Sequence, residues 1–139
     1  MSVLLILAIA CAFSISVAAA TEFEEMDFDG KFKMDVIKGC DFDKTEMEGV
    51  VTYLDLDNTV MVLYLEDPSI STDMDESEYK AFETSSGFEP DGKEGDIRVY
   101  KNEGMYGAMA VDDGIIMVVG CKDRADAIDM AKSVEFTHK

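Results

Sequence analysis

The chain is 139 residues long, with 12 Lys and Arg set against 30 Asp and Glu, a formal net charge of −18 and 47% apolar residues. That length fits one ordinary domain, and the charge excludes nucleic-acid binding, because phosphate repels so anionic a surface. A single long apolar run excludes a polytopic membrane protein, and plentiful aromatic and β-branched residues exclude a disordered acidic tail.

Residues 1–20 read as a secretory signal. The apolar run over 3–17 is interrupted only by Ser14 and Ser16, and no charged residue occurs before Glu22. Ala18 and Ala20 supply the small-x-small pattern of a cleavage site, with the cut before Thr21. The acids that follow, Glu22, Glu24, Glu25, Asp27 and Asp29, suit a segment that ends up outside. The alternative is an uncleaved anchor, since about 20 apolar residues can span a bilayer. A membrane therefore enters only if the leader is retained, and the expected location is secreted or at the cell surface. Residues 21–139 are expected to form a single acidic domain.

Past the leader two cysteines remain, Cys40 and Cys121. In an oxidising compartment such a pair predicts one disulfide. Both follow a strand-like stretch and a glycine, Gly39 and Gly120. A bridge would close about 80 residues and add about 4.5 kcal/mol on the chain-entropy model. Two buried free thiols are the alternative. No Cys-x-x-Cys spacing points to redox catalysis.

In chain order, Phe32, Met34 and Val36 alternate with Lys31, Lys33 and Asp35, which predicts a half-buried strand over 32–36. An acidic loop over 39–49 leads to a strand over 50–56, with Val50, Thr52, Leu54 and Leu56 on one face and Val51, Tyr53 and Asp55 on the other. Residues 60–65 are apolar on both faces and read as a central strand. Thr72 or Asp73 can cap a helix running to about Ser85, with Met74, Ala81 and Phe82 inward and Tyr79 at the edge. Gly87 stops it, and 88–95 reads as a loop. Strands follow over 97–101, 105–111 and 115–119, the last of them the most apolar. Asp123 then caps a helix to about Val134, its apolar face formed by Ala127, Ile128, Ala131 and Val134. The expected class is α+β: an antiparallel sheet of about six strands in β-β-β-α-β-β-β-α order, with both helices on one face.

The densest chemical signal is carboxylate. Asp41/Asp43 and Asp55/Asp57 form Asp-x-Asp pairs, as do Asp27/Asp29 and Asp73/Asp75. Residues i and i+2 of an extended chain point the same way, so such a pair suits a hard cation such as calcium. No pair continues into an EF-hand loop, and in so acidic a chain a solvated surface is the plainer reading. His138, the one histidine, stands one residue from the C-terminus, which disfavours a His-based triad or metal cluster. Ser85-Ser86-Gly87 follows no strand and is no nucleophile elbow. The glycines read as turn and strand-end residues, so no phosphate loop is evident. Met105 and Met109 share a strand face, but scattered methionines are better read as core filler than as copper ligands. Tyr53 and Tyr100 fall opposite the more apolar faces of their strands and are expected over the open side of the sheet.

The leader ending Val17-Ala18-Ala19-Ala20, the strand over 32–36 followed by Gly39-Cys40, and the tail over 127–136 resemble small secreted proteins of unassigned function from methanogenic archaea. The plan is also similar to the PsbP/Mog1-type sandwich, in which an antiparallel sheet carries helices. The resemblance implies a fold and assigns no functional residue. The sequence thus predicts an exported, non-catalytic binding domain with a cell-envelope or basic protein as partner. A calcium-binding module is the first alternative and a secreted enzyme the second.

Overall fold

The computed structural model describes residues 21–67, 75–112 and 114–137. The leader, the Thr72 and Asp73 caps, Met74 and His138 lie outside the described residues. None of the described helices is long and apolar enough to cross a membrane.

The class is α+β, but the strands number ten among the described residues and form two sheets. The larger sheet has the order β3(Asp43–Met47), β4(Val50–Asp55), β5(Val60–Glu66), β9(Ile115–Cys121), β8(Met105–Asp112), β7(Ile97–Asn102) and β6(Glu89–Glu94). The smaller sheet has the order β1(Phe23–Phe28), β2(Phe32–Ile37) and β10(Glu135–Phe136). All pairings are antiparallel. The six predicted strands are all present. Four more lie outside the predicted elements, and each is an edge strand of its sheet.

The β1–β2 hairpin shows how the extra layer forms. Asp29 and Gly30 both take positive φ, 58° and 73°, as a tight two-residue turn requires. The Gly30 N–H donates to the Asp27 carboxylate at 3.0 Å. Phe28, Phe32, Met34 and Val36 then turn inward and are fully buried. They meet Val51, Tyr53, Val60, Val62 and Tyr64 from the larger sheet. Each such buried side chain stabilises the fold by about 1.5–3 kcal/mol.

α2 (Arg124–Lys132) covers the rest of this face. Asp123 caps it through the Asp126 N–H, as predicted, and Ala127, Ile128, Met130 and Ala131 are buried. The helix packs on β8 and β9 and reaches β2, where Ser133 Oγ accepts from the Asp35 N–H at 2.8 Å.

α1 (Glu76–Ser86) lies on the opposite face, which corrects the expectation of two helices on one side. The reason is β9. Met117 and Val119 point into the main core, while Ile116 and Val118 point the other way into a second cluster with Tyr79, Tyr100 and Met109. A strand apolar on both faces needs cover on both. The cap of α1 is Asp75, paired with Glu78 in a reciprocal capping box. Its buried residue is Tyr79, whereas Ala81 is exposed. Polar contacts complete the docking. The Arg98 guanidinium lies 3.5 Å from the Tyr79 ring centre and pairs with Glu76, and the Tyr100 hydroxyl donates to Glu83 at 3.0 Å. Tyr53 and Tyr100 are both buried, on opposite faces: Tyr53 belongs to the main core, and Tyr100 packs with Phe82 and Phe88 on the α1 side.

Candidate functional site

The face that carries α1 is only partly covered, and its uncovered part holds an apolar groove of about 280 Å³. Register explains the groove. Leu54 pairs with Met61, Met61 with Gly120, Gly120 with Gly107, and Gly107 with Tyr100, so these five residues form one row across five strands. Their side chains share a face, and the two central residues have none. With strands about 4.8 Å apart, the missing side chains leave a slot roughly 10 Å wide. Leu54 and Met61 form one wall. Tyr100 and Phe88 form the other, their ring centres 6.0 Å apart. Val118 closes the end toward α1, and Met105 stands near the other end.

The backbone does not demand glycine at either floor position. Neither Gly107 nor Gly120 is among the positive-φ residues. A Cβ on Gly107 would lie 3.5 Å from Val118 Cγ1, and one on Gly120 would lie 3.5 Å from the Tyr106 carbonyl oxygen, both ordinary contacts. Alanine would fit. What glycine provides there is open space above the sheet. Leu54 itself is 36% exposed, and Leu56, two residues on, is 79% exposed.

Of the predicted cation ligands, one holds a loop and three are exposed. Asp55 is buried, and its carboxylate accepts from the Asp41 N–H at 2.8 Å, the Asn58 N–H at 3.1 Å and Asn58 Nδ2 at 2.8 Å. The Asn58 side chain, followed by the Asp41 backbone, holds the Asp55 carboxyl down at about 2. This carboxylate staples the β4–β5 turn to the loop after β2. Asp57, Asp41 and Asp43 are exposed. Among the described residues no three His, Cys, Asp or Glu side chains gather as a metal site.

Asp55 therefore predicts an acid response. A carboxyl with a depressed folded pKa contributes stability above its unfolded pKa and loses it as pH falls. That window runs from about pH 4 down to about pH 2. Asp55→Asn should lower the melting temperature at pH 7 and flatten its decline across that window, as followed by circular dichroism. Parallel acid arms in the two proteins would refute the staple.

A second carboxylate, Asp29, sits where the smaller sheet meets the larger. It accepts from the Tyr64 hydroxyl at 2.6 Å and from Lys44 Nζ at 2.9 Å. Burial works to raise this carboxyl, but hydrogen bonds from Tyr64, Tyr53 and Lys44 outweigh burial and hold it below its usual range. Both tyrosines are pushed upward by burial and by Asp29. These shifts move Asp29, Tyr53 and Tyr64 away from neutrality.

Cys40 is half-buried, Cys121 is buried, and both are free thiols, so the expected bridge is not formed in this structure. Both belong to the main core. Burial raises each thiol to about 11, and the neighbours that push Cys40 higher include Asp55 and Cys121. Thiols raised in this way are poor nucleophiles.

No family model matches the chain, and no curated protein matches it significantly.

The groove is hidden in the sequence because its glycines read as turn and strand-end residues. Gly107 lies inside β8. A glycine within a strand signals a bulge or a place where something approaches the backbone. Gly107 and Gly120 carry that signal singly, and only the register makes them neighbours.

Proposed function

We propose that the chain is an exported, non-catalytic binding domain, and that the groove floored by Gly107 and Gly120 takes an apolar group of its ligand. The observation that carries this is the glycine pair. Two adjacent extended positions on a central, otherwise apolar sheet face lack side chains that the backbone would accept. Ligand sites of this kind are concave and mostly apolar, with a few polar groups at the rim; Lys101, Asn102 and Glu103 line this one. Export rests on the leader, and in an oxidising compartment Cys40 and Cys121 become candidates to join. A cell-envelope component or a basic protein remains the partner class that a net charge of −18 favours.

The test separates folding from binding. In strands, alanine is less costly to order than glycine by roughly 0.5–1 kcal/mol at each position. The double variant Gly107→Ala/Gly120→Ala should therefore melt no lower than the parent. The same variant should lose most of its binding of a neutral solvatochromic dye, read by fluorescence. Unchanged dye binding in a well-folded double variant would remove the groove from consideration.

A further inference from the structure

We infer that the occupant of the groove is one bulky ring side chain carried on a basic segment of a partner protein. This inference rests on the groove being a binding site and adds the chemistry of what binds.

The slot sets the size of the anchor. Only two side chains are missing from the row, and Val118 blocks the slot on the α1 side. A space of about 280 Å³ is ample for one large ring side chain, since about 150 Å³ already holds benzene. Walls of Met61, Leu54, Tyr100 and Phe88 suit a ring. Thioethers and aromatic faces both contact rings favourably, and the bare peptide planes of the two glycines give it a flat floor. Interfaces concentrate their energy in such ring-in-pocket contacts.

The charge around the slot decides what flanks the ring. Asp43 pairs with Leu54 at the β3 edge, and Asp57 follows the exposed Leu56 in the next turn; both carboxylates are exposed. Glu103 lines the opposite end. Among the described residues the one cation lining the groove, Lys101, stands opposite Glu89 in the β6–β7 register. Acids thus flank both ends of an apolar slot on a molecule of net charge −18. Like-charged partners are repelled, and a segment with Lys or Arg on either side of its ring is attracted. The same argument disfavours a second copy of this chain, which would bring 30 acids against 30 acids.

The chain contains no Trp, so a tryptophan peptide reports its own burial by a blue shift without background. Three short peptides suffice: Trp flanked by Lys and Arg, Trp flanked by Glu, and the basic sequence with Ala in place of Trp. Only the basic Trp peptide should bind, with a blue shift. Its affinity should fall by at least roughly tenfold with the Gly107→Ala/Gly120→Ala variant. In Asp43→Asn/Asp57→Asn it should weaken and depend less on salt. The exposure of those two residues keeps that variant folded. Equal binding of the basic and acidic Trp peptides, with both lost in the glycine variant, would overturn the basic partner and leave the groove standing. Binding that ignores the glycine variant, or no binding of any Trp peptide, would overturn the inference. Only the first of these two results, together with unchanged dye binding, would take the groove reading with it.

Discussion

Phe32→Ala should remove about 3–5 kcal/mol of stability, a large fraction of the roughly 5–15 kcal/mol that holds a domain together. Phe32 is fully buried at the start of β2. Its ring stacks on Phe28 at 4.9 Å, meets Tyr64 edge-on at 5.5 Å, and lies 6.0 Å from Phe136. Those partners belong to β1, β5 and β10, so one ring ties the smaller sheet to the larger and holds the C-terminal strand. Truncation leaves a cavity between two sheets whose backbone ladders keep them from collapsing into it. A urea titration reads the effect as a lower midpoint. Phe82→Ala is the comparison: Phe82 is only half-buried on α1, and its loss should cost clearly less. Equal costs would mean that the smaller sheet is no more integral to the core than α1.

The same contrast explains what the sequence revealed. The six predicted strands carry apolar residues in a period of two or in continuous runs, because each buries one face or both. β3, with the sequence DKTEM, and β6, with the sequence EPDGKE, bury almost nothing. They are the edges of the larger sheet. Backbone hydrogen bonds to β4 and β7 hold them, and their charges, with Pro90 and a bulge in β6, suit edges that must not recruit another strand. No side-chain pattern marks a strand held in this way. The position of α1 was obscured for another reason. A continuous apolar run in β9 says that both faces are covered, but not which element covers each. Arg98, Tyr100 and Tyr79 fix that choice through contacts between residues some 20 positions apart in the chain, as in the 3.5 Å approach of Arg98 to the Tyr79 ring.

Asp55 shows the limit for the site itself. In sequence it is half of an Asp-x-Asp pair, and carboxylate spacing alone suggests a cation. Its partners, the Asp41 backbone and Asn58, give its oxygens N–H donors instead. Whether a carboxylate holds a metal or a loop depends on what the fold brings to it, and local spacing does not carry that information. The groove is hidden in the same way, since a missing side chain becomes a cavity only when its neighbour across the ladder is also missing.

Oxidation of Cys40 and Cys121 is expected to give the largest gain in stability available to this chain. The two thiols release two protons and two electrons to an oxidant, molecular oxygen or an exchanging disulfide, and the sulfurs join. Both cysteines pack on the main core at the same end of the larger sheet. Gly120 pairs with Met61 and Asp55 with Val60, so Cys121, Val60 and Asp55 follow one another across β9, β5 and β4. Burial and then Asp55 push the Cys40 thiol up, and Cys121 is near enough to add to that push. The bridge would tie the loop after β2 to the end of β9 and close about 80 residues, which restricts the unfolded chain by about 4.5 kcal/mol. The oxidised protein should then melt at least about 10 °C above the reduced one. Cys40→Ser/Cys121→Ser should melt near the reduced protein and ignore the oxidant. Intact mass of protein that starts at Thr21, which lacks Cys11, gives the independent reading under non-reducing conditions, a loss of two hydrogens with no thiol left to alkylate after unfolding. If both thiols still alkylate after oxidation, or if the bridged protein melts no higher than the reduced one, these sulfurs are simply two buried members of the core.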